Sequence, residues 1–188
     1  MSVTLAPSTP AAPSARRPHP ARRLAVAVAA AVVANAVVTT ATDQILHVLD
    51  VYPPWGQPMF DPGDNLLALG YRTVYTVLGG YLAAALAARF TARRSGRPTT
   101  SDAGGAPLRD APTRDAPMRA ALAFGLIGLV LSAAGAAVTI TRYDLGPDWY
   151  PLLLAAVALP AAWLGGALHR RGGRASDRSH AFARVRTR

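Results

Sequence analysis

The chain contains no cysteine, no lysine and no glutamate. Without cysteine there is no disulfide framework, no thiol nucleophile and no thiolate metal site. Without lysine, all twenty basic residues are arginines. Alanine, glycine and proline are also heavily used, as in a GC-rich bacterial genome, so the choice of arginine carries no message by itself. The most telling absence is local. Four long apolar runs, Leu24–Thr42, Leu66–Ala88, Ala120–Ile140 and Trp149–Leu168, hold one charged residue between them, Arg72. A soluble helix of that length keeps a charged stripe on its wet face; these runs have none.

Each run supplies the roughly 20 apolar residues that a helix needs to cross the hydrocarbon core of a bilayer. The arginines are distributed around them in a pattern. Four precede the first run, seven lie in 89–119 between the second and third, and seven follow the fourth. Between runs one and two the chain is instead acidic, with Asp43, Asp50, Asp61 and Asp64 and no arginine. Basic segments alternate with non-basic ones, which is the positive-inside pattern of a four-span protein with both termini in the cytoplasm. The expected fold is therefore all-α and polytopic. Four transmembrane helices over about 24–42, 66–88, 120–140 and 149–168 form two hairpins within residues 24–168, between basic tails 1–23 and 169–188. The expected location is the bacterial inner membrane.

A net charge of +10 suggests nucleic acid until it is mapped. The arginines sit in Pro-, Ala- and Gly-rich polar segments, with no folded basic module. The partners they imply are the bilayer and its anionic headgroups, and no nucleic acid. Arg16, Arg17, Arg22 and Arg23 ahead of an apolar run, with Ala34–Asn35–Ala36 inside it, read like a signal peptide. The run continues to Thr42, however, which favours an uncleaved signal-anchor. Residues 1–20 lack apolar periodicity and are expected to be disordered. The stretch 89–119 reads as a flexible loop, in which Arg109–Pro112 and Arg114–Pro117 form a short R-D-A-P repeat.

Small residues predict where helices meet. Gly125, Gly128, Ser132 and Gly135 make one stripe, and Gly79 and Gly80, each with an alanine four residues on, make two more pairs. Such faces let backbones approach closely where lipid offers no hydrophobic drive, and they also admit packing against a second copy. Trp55, Trp149 and Tyr150 are placed to anchor at the headgroup level. Pro53 and Pro54 stop any extension of the first helix, and Pro160 is expected to bend the last one.

The sharper signal is polar. Arg72 lies about 9 Å into the second run at 1.5 Å per residue, and Asp43 ends the first run at a comparable depth. His47 is one turn beyond Asp43 on the same face. Neighbouring helices would bring Asp43 and Arg72 together, flanked by His47, Tyr71 and Tyr75. Such a cluster is either a structural staple or a protonatable, anion-binding site, since ionisable residues inside a membrane are functional by default. Asn35 is expected to hydrogen-bond between helices. A transport path would need polar residues beyond Arg72, and helices three and four offer little except Ser132 and Thr139.

No H-E-x-x-H, G-x-S-x-G or P-loop occurs. Asp43 and His47 lack a third metal ligand, so neither metal nor cofactor is expected. The elements Asp43, His47, Pro53–Pro54–Trp55–Gly56, Tyr71–Arg72, Tyr75 and Gly79–Gly80, followed by Trp149–Tyr150–Pro151, Leu159–Pro160 and Trp163–Leu164–Gly165–Gly166, resemble a group of small, uncharacterised bacterial integral membrane proteins. That resemblance covers most of 24–168 and implies four helices. It implies no activity, substrate or catalytic residue. The expected function is accessory or structural. The alternatives are a subunit of a small transporter or channel with an outer-facing polar site, and a membrane enzyme acting on a lipid-linked substrate through Asp43 and His47.

Overall fold

The computed structural model describes residues 20–95, 115–143 and 145–186. They form four helices: α1 (Pro20–Val48), α2 (Pro62–Ser95), α3 (Ala116–Arg142) and α4 (Trp149–Arg186). All four are long and apolar enough to cross a membrane. The N-terminal tail to residue 19, most of the basic loop and its first R-D-A-P repeat lie outside the described residues. The helices outrun the apolar stretches that define them. α1 has 29 residues and α4 has 38, about 44 and 57 Å at 1.5 Å per residue. Past residue 168 α4 continues through the arginine-rich segment as far as Arg186, and Pro160 lies within it.

Local chemistry sets the helix ends at the loops. α1 closes with a Schellman pattern, Val51 N–H to Leu46 O at 3.0 Å and Asp50 N–H to His47 O at 3.3 Å. Asp50 takes the left-handed turn this requires, at φ 55°, and Asp tolerates it better than most side chains. α2 opens on Asp61, whose Oδ1 accepts from the N–H of Gly63 at 2.7 Å and of Asp64 at 3.2 Å. Pro62 follows as the first helical residue, where its missing N–H costs nothing.

The packed interior is built of small side chains. Ala27 and Ala31 of α1, Ala83, Ala84 and Ala87 of α2, Ala120 and Ala121 of α3, and Ala161 and Ala162 of α4 are buried. Phe124 is the large hydrophobic side chain in that core. The branched residues face outward instead: Val33, Val37, Leu126, Val130 and Leu152 are all more than half exposed. A water-soluble bundle does the reverse. This inversion is what a lipid-facing surface requires, because close approach rather than hydrophobic burial holds membrane helices together.

The approach is closest where glycines lie. A Cβ on Gly80 would press on the backbone of Ala162, its Cα 2.8 Å away, and one on Gly79 would enter the Phe124 ring. At Gly165 a Cβ would meet the Val77 carbonyl and the Tyr81 nitrogen, and at Gly125 it would lie 2.6 Å from Ala162 Cβ. α4 thus packs tightly on both α2 and α3, whereas α1 lies against α2 and more lightly against α3. At one end of the α1–α2 pair, Arg23 Nη1 donates to Phe90 O at 3.0 Å; at the other, Asp43 meets Arg72.

Candidate functional site

The polar residues gather at the end of the bundle that carries the two short connections, 49–61 and 143–148. Arg72 Nη2 donates to Asp43 Oδ2 at 2.7 Å. The second carboxylate oxygen accepts from the Tyr71 hydroxyl, so both oxygens of Asp43 are engaged. Tyr75 shares a 3.0 Å hydrogen bond with Thr42 Oγ1 and packs its ring against Tyr71 at 5.7 Å. Two adjacent residues of α1 are therefore stitched to consecutive turns of α2, Thr42 to Tyr75 and Asp43 to Tyr71 and Arg72. Sequence spacing anticipated these partners except Thr42, whose hydroxyl passes as one more small helix residue.

His47 points elsewhere. Its Nδ1–H donates to Pro53 O at 2.6 Å, its ring lies 4.0 Å from that of Trp55, and Tyr52 meets it edge-on at 5.6 Å. A carbonyl can only accept, so this bond fixes Nδ1 as the protonated nitrogen. The histidine holds the first connection against the end of α1 and forms no hydrogen bond with Asp43. Burial pushes the Tyr52 phenol above its ordinary range, keeping a neutral hydroxyl beside this cluster. Trp55 remains 62% exposed, open to an interfacial environment.

Beside the ion pair lies a cleft of about 400 Å³ between α2, α3, α4 and both connections. Arg72 lines it from α2, Ser132 and Thr139 from α3, and Tyr150 from the start of α4. The small-residue stripe of α3 therefore divides. Gly125 is packed tightly and Gly128 makes ordinary contact with Ala158, but nothing lies within 4 Å of a Cβ built at Gly135, which opens onto the cleft. Tyr150 also lines the cleft, and Trp149 beside it is 39% exposed.

The connections close over this end through backbone contact. Met59 N–H donates to Leu145 O at 2.7 Å. A Cβ on Gly146 would sit 2.6 Å from Met59 O, so this approach requires glycine. Asn65, the largest fully buried side chain among the described residues, donates through Nδ2 to Met59 O at 2.9 Å and to Asp61 O at 2.8 Å. Sequence reasoning passed over Asn65; its one signal is an amide in the first turn of α2 immediately ahead of Leu66 and Leu67. Asp148, at the exposed rim, was also missed as a cleft residue, because a loop aspartate looks like any solvated charge.

Among the described residues, two buried side-chain polar atoms have no hydrogen-bond partner, Arg72 Nε and Asn35 Oδ1. An unmet buried donor or acceptor costs on the order of 1–3 kcal/mol. For Asn35 this leaves the expected interhelical bond unmade at Oδ1. For Arg72 it means the Asp43 pair does not exhaust the guanidinium's five donors. Among the described residues no three His or Asp side chains converge as a metal site would need. Compared with protein families, curated proteins and solved structures, the chain matches none.

Proposed function

We propose that this is a small four-span protein of the bacterial inner membrane, its helices paired as two hairpins and both termini cytoplasmic, that acts as an accessory ligand-holding subunit. The cleft beside Arg72 faces the outer side, and the arginine-rich segments bind anionic headgroups on the inner side. The observation that carries the reading is the cleft itself. Its volume of about 400 Å³ lies within the roughly 300–1,000 Å³ of small-ligand sites, and its wall includes an arginine whose guanidinium keeps donors beyond the one spent on Asp43.

Packing favours holding over transport. Toward the other end, Gly79 meets the Phe124 ring, Gly80 the backbone of Ala162 and Gly165 the Val77 carbonyl, so close glycine contacts shut the bundle below the cleft. The side chains also weigh against acid–base chemistry. Asp43 is committed at both oxygens, and His47 is bound to Pro53 O rather than to Asp43.

The absence of cysteine makes single-cysteine labelling a direct test. In intact cells, a membrane-impermeant maleimide is expected to label a Ser132→Cys variant and to leave Leu126→Cys, on the lipid-facing surface, unlabelled. Gly104→Cys should react only after the membrane is permeabilised. Labelling of Ser132→Cys solely from the inner side, or not at all until the protein is denatured, would sink the outward-facing cleft.

A further inference from the structure

Building on the cleft as a ligand site, we infer that its occupant is a zwitterionic group: a phosphate or carboxylate with an ammonium a few atoms away, as in a phosphoethanolamine headgroup. The argument rests on how charge is arranged around the cavity. Arg72 supplies the positive charge, 30% exposed along its side chain and already paired with Asp43. The Asp43 bond uses only one of the guanidinium's N–H groups of the five it carries, so an incoming oxygen meets spare donors on the exposed part of the side chain that lines the cleft. Asp148 supplies the negative charge, at the exposed rim.

Counting Asp43, Arg72 and Asp148, the site carries one more negative charge than positive. A simple anion would gain the guanidinium's hydrogen bonds but meet repulsion from Asp148. A simple cation would pair with Asp148 and leave the spare Arg72 donors unused. A ligand bearing both charges answers both groups and adds no net charge. The hydroxyl-bearing residues Ser132 and Thr139 of α3 and Tyr150 of α4 also line the cleft, suited to the remaining phosphate or carboxylate oxygens.

Part of the lining is apolar. Leu131 and Leu154 line the cleft, and Leu131 is 62% exposed, so the cavity wall continues onto the lipid-facing surface of α3. A headgroup in the cleft could keep its chains outside, along that surface. The same charges would also take a free soluble zwitterion, and the experiment separates these sources.

The purified full chain, in a nonionic maltoside detergent, is heated with each of four probes. These are dihexanoyl phosphatidylethanolamine, dihexanoyl phosphatidylglycerol, glycerophosphoethanolamine and inorganic phosphate. The ethanolamine lipid is expected to raise the melting temperature by several degrees. The glycerol lipid and inorganic phosphate should need roughly tenfold higher concentration for an equal rise, the worth of one charged hydrogen bond. Asp148→Asn should erase that headgroup preference. Gly135→Leu, placed where nothing lies within 4 Å of the new Cβ, should fill the cleft, keep the parent's melting temperature and abolish the response.

A rise with glycerophosphoethanolamine equal to that with the lipid upholds the site and assigns a soluble ligand. A rise with the lipid alone upholds it and assigns the membrane. Equal responses to the two lipids, no response to any probe, or an undiminished response in Gly135→Leu would each overturn the inference. Outer-side labelling of Ser132→Cys is independent of these outcomes, so the outward-facing cleft can survive while the headgroup assignment falls.

Discussion

At the scale of single residues, the Asp43–Arg72 pair decides how α1 is held. A charged side chain near the bilayer centre costs about 2.5–3.5 kcal/mol on insertion scales, and this pair offsets part of that with two engaged carboxylate oxygens. Removing one partner leaves the other charge uncompensated; removing both leaves two neutral groups. Asp43→Asn and Arg72→Gln are therefore each expected to lower stability in detergent by about 2 kcal/mol, with much of that loss recovered in the double variant. Strictly additive losses in the thermal melts would show that the two side chains act separately. The pairing was legible in the chain, because the one charge inside the second apolar run and the aspartate at the end of the first lie at comparable depth and have few other partners. His47 was legible only in part. Helical spacing puts it on the face of Asp43, but the bond to Pro53 O depends on how the first connection folds back, and periodicity says nothing about that.

Among the helices, glycine and alanine govern how closely α2, α3 and α4 approach, and not every glycine contributes equally. A Cβ at Gly80 would run into the backbone of Ala162, which cannot step aside, whereas one at Gly128 reaches only the Ala158 methyl at 3.9 Å. Gly80→Val is thus expected to destabilise the bundle by about 3 kcal/mol, at the upper end of overpacking. Gly128→Ala should be neutral or gain about 0.5 kcal/mol from helix propensity. Comparing the two variants' melting temperatures checks this, and equal effects would mean that the packing at Gly80 is loose. The stripe on α3 was visible in the sequence as spacings of three and four. That its last members, Ser132 and Gly135, line a cleft was not, because spacing places residues on a face without specifying what lies opposite.

For the whole molecule, the two connections act as one cover. The Met59–Leu145 hydrogen bond and the close approach at Gly146 join the segment after α1 to the segment after α3, some 86 positions apart in the chain. Gly146→Val should force them apart. In a Ser132→Cys background it is expected to speed maleimide labelling several-fold while lowering the melting temperature only modestly, since the helical core lies elsewhere. An unchanged labelling rate would indicate that access to the cleft does not run past this junction.

The amino-acid sequence by itself determined that there are four long apolar helices and which residues cannot tolerate lipid. Both follow from local free energies, the transfer of side chains and the need of every backbone group for a hydrogen-bond partner within its own helix. It also narrowed the polar cluster to a few positions on α1 and α2. The sequence also marked the small-residue faces where helices meet; tertiary structure alone decided that branched side chains face out around the described helices. It decided as well that α4 packs against both α2 and α3, and that Arg72, Ser132, Gly135, Asp148 and Tyr150 share one cleft. These are facts of rotation and register between helices. They depend on which glycine meets which backbone, a steric condition satisfied only when both surfaces are present.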